Sequence, residues 1–121
     1  MAKGELAIVL HAHLPFVRSA EKNSLEEDWF FQALLETYLP LLQILEKALE
    51  HEQEAKVTIG LSPTLLSLLN DAELKATFPS WIANRLQILK KANKAQKEAA
   101  NHLEKHIKRQ LNYWIEHDGE I

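Results

Sequence analysis

Two stretches of this chain read as β-strand, and no third one does. Residues 5–11, ELAIVLH, are a nearly unbroken apolar run, as expected of a strand covered on both faces in a parallel sheet. Residues 56–61, KVTIGL, are short and β-rich. The segments between and after them carry the three-to-four-residue apolar spacing of helices. Two parallel strands cannot bury a core on both faces, and a complete barrel of alternating strands and helices takes about 250 residues against the 121 present here. The expected fold class is therefore α/β, with residues 1–121 forming the N-terminal part of a larger barrel-like domain, about two strands plus several helices.

Helix boundaries are marked by their caps. Ser24 with Glu27 three residues later forms a capping box, and the helix it opens runs to about residue 50. Its apolar stripe takes in Leu34, Leu35, Tyr38, Leu41, Leu42, Leu45 and Leu49, and Pro40 inside that stripe predicts a kink. Ser62-Pro63 is an N-cap followed by proline at the first helical position, opening a short helix over TLLSLL. Asn70-Asp71 ends that helix and caps a further turn or two. From Pro79 to about His117 the apolar spacing predicts helix again, in two segments meeting near Asn93 to Ala100. No glycine occurs between Leu61 and Asp118, and neither GxGxxG nor GxxxxGK[ST] occurs, so phosphate-binding loops are excluded.

Composition removes other classes. The chain has no cysteine, which excludes disulfides, thiolate metal sites and cysteine nucleophiles. No apolar run approaches the roughly 20 residues of a membrane span, and Lys3-Gly4-Glu5 is no signal peptide, so a cytoplasmic chain is expected. The net charge of -3 hides a segregation: residues 1–54 hold ten acids and four bases, residues 85–109 eight bases and two acids. That basic stretch reads as a solvated helix face rather than a nucleic-acid footprint.

The chemistry-bearing feature is the end of the first strand, LHAHLPFVR. Residues i and i+2 of a strand share a face, so His11 and His13 project together where α/β folds build their active sites. Two imidazoles there can hold a metal, hydrogen-bond a substrate or stabilise a carboxylate, or they can simply be polar core residues satisfied by backbone. A zinc site needs more ligands, and His51, His102, His106 and His117 lie on helix faces or ends without HExxH spacing. His102 and His106, four apart on a basic helix, read as solvated side chains rather than as a metal pair.

The text around the histidines narrows this. LHAHLPFVR, EEDWFFQALLETYLPLLQILEKAL and VTIGLSPTLLSLLND together resemble the start of glycoside hydrolase family 57, within it the 1,4-α-glucan branching group. His11 to Pro15 matches that family's first motif, with Leu14 where amylase and glucanotransferase relatives typically carry glutamine. The resemblance implies a (β/α)7 barrel that cleaves an α-1,4 bond with retention and passes the glucan to a 6-hydroxyl. Such chemistry uses two carboxyl groups about 5–5.5 Å apart and needs no metal or other cofactor. It also implies that His11 and His13 line the donor sugar site of an α-glucan, with Trp29 a further candidate for the glucan cleft.

The family's nucleophile and acid/base belong to motifs beyond residue 121, so no catalytic residue is expected here. Glu26, Glu27 and Asp28 are the charged first turn of a helix, where they favour its dipole, and Glu116, Asp118 and Glu120 lie near the last residue. The expectation is a chain inactive by itself that associates through its exposed sheet edge. Two alternatives stand beside it: a metal-dependent hydrolase using His11 and His13, and a non-catalytic carbohydrate-binding or interaction module.

Overall fold

The computed structural model describes residues 4–18, 24–51 and 56–120. The two expected strands form one parallel sheet, β1 (Val9–Ala12) beside β2 (Thr58–Leu61), in the register Val9↔Thr58 to Ala12↔Leu61. Pairing begins with the Thr58 N–H on the Ile8 carbonyl and ends with the Ser62 N–H on the Ala12 carbonyl, both at 3.1 Å. Residues 5–8 lie outside the paired strand, because β2 offers only four residues to pair with.

The crossover between the strands is one long helical run with a widened turn in it. Helix α1 (Leu25–Ala33) starts on Ser24, whose Oγ accepts the Glu27 N–H at 3.2 Å. A π-helical turn (Leu34–Tyr38) follows, then α2 (Leu39–Glu50). The π turn is the form taken by the irregularity expected at Pro40. The Leu39 N–H reaches back five residues to the Leu34 carbonyl instead of four to that of Leu35. In the same register the Leu35 carbonyl would receive the N–H of residue 40, and proline has none. His106 fills the gap from another helix, its Nε2 3.2 Å from the Leu35 carbonyl oxygen. A carbonyl only accepts, so Nε2 carries the proton, in keeping with the Arg109 guanidinium 3.4 Å from Nδ1. His106 is thus a half-buried structural donor rather than the solvated side chain expected.

The short helix α3 (Pro63–Leu69) begins on Ser62 as expected, its Oγ accepting the Leu65 N–H at 3.3 Å. The next helix departs from expectation. The expected cap at Asp71 is present, but it opens a long helix rather than a turn or two: α4 (Ala72–Leu89) runs straight through Pro79, where a separate helix was expected to begin. Asp71 Oδ1 accepts from the N–H groups of Glu73 and Leu74, both at 3.0 Å, which fixes the start. Pro79 sits on the exposed side while Phe78 and Ile82 are fully buried, so water can satisfy the carbonyl that proline leaves without a donor. The expected joint is present: Asn93 and Gln96 cap each other reciprocally at a 3₁₀ turn (Lys94–Gln96), and α5 (Lys97–Glu116) follows. Helix α5 closes on Asp118 (φ 52) and Gly119 (φ 69), with the Gly119 N–H on the Trp114 carbonyl at 2.9 Å. A Cβ on Gly119 would come 2.9 Å from the Trp114 ring, so glycine is required there.

The core is almost entirely helical. Phe30, Phe31 and Leu34 from the crossover meet Leu65, Leu74, Phe78, Ile82 and Trp114. Phe78 sits edge-on to Trp114 with centroids 4.9 Å apart, and against Phe31 at 5.8 Å. Arg18, after β1, ties its loop to two helices through Glu27 (3.6 Å), Asp71 (3.2 Å) and Glu73 (2.8 Å). Those carboxylates, the Glu73 hydrogen bond foremost, raise the Arg18 pKa above its usual range. Within the basic stretch, Arg85 bonds Asp28 and stacks over Trp81 (4.7 Å), and Lys108 pairs with Glu104.

The sheet itself is bare. Val9 is 69% exposed, Leu61 47% and Leu10 37%, although parallel strands of this apolar character are ordinarily covered on both faces. The expected double coverage is therefore not supplied within the described residues.

Two measurements check these packing devices. His106→Leu, which strands the Leu35 carbonyl, should lower unfolding free energy by about 1–3 kcal/mol in urea, with His106→Gln recovering part of it; equal stability of His106→Leu and wild type would contradict the role. Tyr113 donates to Glu46 across α5 and α2 at 2.9 Å, and burial followed by that bond pushes its phenol from 10.0 up to about 12. The folded state holds the proton longer than the unfolded one, so this contribution is complete below pH 10 and lost as pH rises through about 12. Stability should fall more steeply over that range in wild type than in Tyr113→Phe; identical slopes would oppose it.

Candidate functional site

The alternation along β1 places Val9, His11 and His13 on one face and Leu10, Ala12 and Leu14 on the other. Ala12 and Leu14 pack against the helical core, while residues of both faces, Leu10 and Ala12 with His11 and His13, line a crevice at the strand ends. The two imidazoles stack with centroids 5.9 Å apart and planes 11° from parallel. His13 lies one residue past the strand. His11 stands opposite Gly60, where an added Cβ would sit 3.6 Å from Nδ1. That is ordinary contact distance, so the glycine leaves one flank of the imidazole open.

The histidines line a crevice of about 540 Å³ between the strand ends and the crossover helix. Its polar wall consists of His11, His13, Thr37 and Tyr38, and its apolar floor includes Leu10, Leu41, Leu42 and Ile59. Burial raises the Tyr38 phenol above its usual pKa. Thr37 and Tyr38 were not legible as wall residues, since Tyr38 belongs to the helical apolar stripe. The signal available was Pro40 two positions on, which demands the irregular turn that carries them.

Trp29 is not brought into this crevice. It lies on α1, 51% exposed, and is not among the lining residues. His102 is exposed, His106 is engaged with Leu35, and His117 lies tilted against Tyr113 with ring centroids 4.2 Å apart. Among the described residues no three His, Asp or Glu side chains gather closely enough to hold a metal ion, so His11 and His13 have no third ligand.

No carboxylate among the described residues lines the crevice. The acids nearest in sequence to the expected site are engaged elsewhere. Glu27 is buried beside Arg18, and Asp28 accepts from Trp81 Nε1 at 2.7 Å and from Arg85. Two imidazoles and two hydroxyls over an apolar floor can bind a polyhydroxylated ligand. They cannot perform two-carboxylate glycosidic cleavage.

A family model, Glycosyl hydrolase family 57, matches residues 7–119. The chain belongs to this family. It is 30% identical, over 98% of its length, to a 1,4-alpha-glucan branching enzyme of Thermococcus kodakarensis, of which it covers 18%. It is 31% identical over 81 residues to a probable 1,4-alpha-glucan branching enzyme of Mycobacterium tuberculosis. Its fold superposes on a family 57-type branching enzyme from Pyrococcus horikoshii with a TM-score of 0.87 and 32% identity, covering 96% of this chain and 23% of that one. An alpha-amylase from Thermotoga maritima gives 0.84 at 27% identity, covering 99% and 24%. The chain thus spans about a fifth of the length of the relatives it matches.

Proposed function

We propose that this chain is the N-terminal part of a family 57 (β/α)7 catalytic barrel and supplies one wall of an α-glucan site. In this reading His11 and His13 hydrogen-bond sugar hydroxyls or orient a carboxylate brought by other parts of the domain. The parent activity is retaining transfer at α-1,4 bonds, with branching favoured by the branching-enzyme relatives. The two carboxyl groups that such a reaction needs lie outside these residues, and the 121-residue chain alone is inactive.

The observation carrying the proposal is a stacked histidine pair at the carboxyl end of a parallel strand, in a crevice with hydroxyls and, among the described residues, no acid. That end of the strands is where barrel enzymes bind substrate. The bare strands support the barrel reading, because apolar β1 and β2 residues are exposed as they would be if further strands and side chains were to cover them.

Titration of the purified chain with maltoheptaose checks the sugar-wall assignment. Saturable binding is expected in the millimolar range, about -4 kcal/mol, weakened tenfold or more by His11→Ala. Binding unchanged in His11→Ala, or none in wild type, would remove the assignment.

A further inference from the structure

Of the two bonds that hold the backbone on either side of His13, one belongs to the sheet ladder and the other comes from a side chain. Parallel pairing proceeds by alternate residues: Thr58 donates to Ile8, and Ser62, at the far end, to Ala12. Continued by two, the next donor would be residue 64 and the next acceptor Leu14. By then the β2 chain has turned into α3, Pro63 having set the first helical position, and the backbone N–H of residue 64 no longer follows the ladder. The Thr64 hydroxyl donates to the Leu14 carbonyl instead, at 2.8 Å.

The proton count fixes the direction of the chain of bonds behind it. Thr64 has a single hydroxyl proton and gives it to Leu14, so in its 3.1 Å contact with Ser62 it accepts. Ser62 Oγ in turn accepts the Leu65 N–H as the cap of α3. The sequence of bonds is therefore Leu65 N–H to Ser62, Ser62 to Thr64, and Thr64 to Leu14. Both carbonyls flanking His13, those of Ala12 and Leu14, are thereby held by residues 62 and 64. Both carbonyls are thus engaged one residue beyond β1, and the His11 and His13 rings lie 11° from parallel.

We propose that Thr64 is a positioning residue for His13: its hydroxyl is a surrogate rung that prolongs the sheet ladder and aligns the two imidazoles. It touches no ligand and acts through the Leu14 backbone. The consequence for glucan binding rests on the function proposed above, whereas the alignment of the rings does not.

The test compares Thr64→Val, which keeps the β-branched shape and loses the hydroxyl, with Thr64→Ser, which keeps the hydroxyl. The readout is the set of ring-proton NMR shifts and ring-to-ring cross-relaxation of His11 and His13, with maltoheptaose affinity measured alongside. Thr64→Val should lose the ring-to-ring signal and weaken binding roughly fivefold, the worth of one ordinary hydrogen bond, while Thr64→Ser should match wild type in both. Wild-type ring signals retained in Thr64→Val would overturn the inference. A wild-type chain that shows the ring signal but binds no maltoheptaose would defeat the sugar assignment alone, and the ring comparison would still decide the role of Thr64. Should Thr64→Val fail to fold, Thr64→Ala removes the same hydroxyl with better helix propensity and is judged by the same signals.

Discussion

A four-residue parallel ladder, Val9–Ala12 against Thr58–Leu61, governs what the rest of the chain must do. Parallel strands need a crossover, and the one here is the run from Leu25 to Glu50. The ladder's register sets His11 opposite a glycine and ends where α3 begins, so the last rung has to be made by the Thr64 side chain. The crossover carries a proline at its middle, and the π turn that accommodates it has two consequences. Thr37 and Tyr38 line the crevice with the histidines, and the orphaned Leu35 carbonyl anchors α5 through His106.

What was legible in the residues was whatever depends on neighbours in sequence. Strand positions, the Ser24 and Ser62 caps, the joint near Asn93 and the shared face of His11 and His13 all follow from local spacing and hydrogen-bond chemistry. Pro79 does not mark a helix start, because a proline on the exposed side of a helix leaves a carbonyl that water can satisfy. The Asp71 cap, accepting two backbone N–H groups on one oxygen, therefore opens the whole of α4 rather than a turn or two. His106 and Thr64 were misread or passed over because their partners, Leu35 and Leu14, lie 71 and 50 residues away. Nothing local marks an imidazole or a hydroxyl as the substitute for a missing main-chain donor.

The candidate site divides in the same way. Its histidines were visible as a motif, and the family match over residues 7–119 agrees with the resemblance drawn from them. The wall residues Thr37 and Tyr38 depend on the π turn, and Trp29 points to no part of the crevice described. Electrostatics separates binding from catalysis here. Glu27, Asp71 and Glu73 converge on Arg18, and Asp28 serves Trp81 and Arg85, so these acids stabilise the helical layer, and the crevice has no carboxylate among the described residues.

Under the proposed function the crevice holds a glucan and, by itself, does not cut one. Incubating the purified 121-residue chain with amylose and following iodine colour tests this most directly. The account expects the colour to persist indefinitely, with no new α-1,6 linkages in the recovered glucan. Progressive loss of the colour with branch points formed by the chain alone would contradict it.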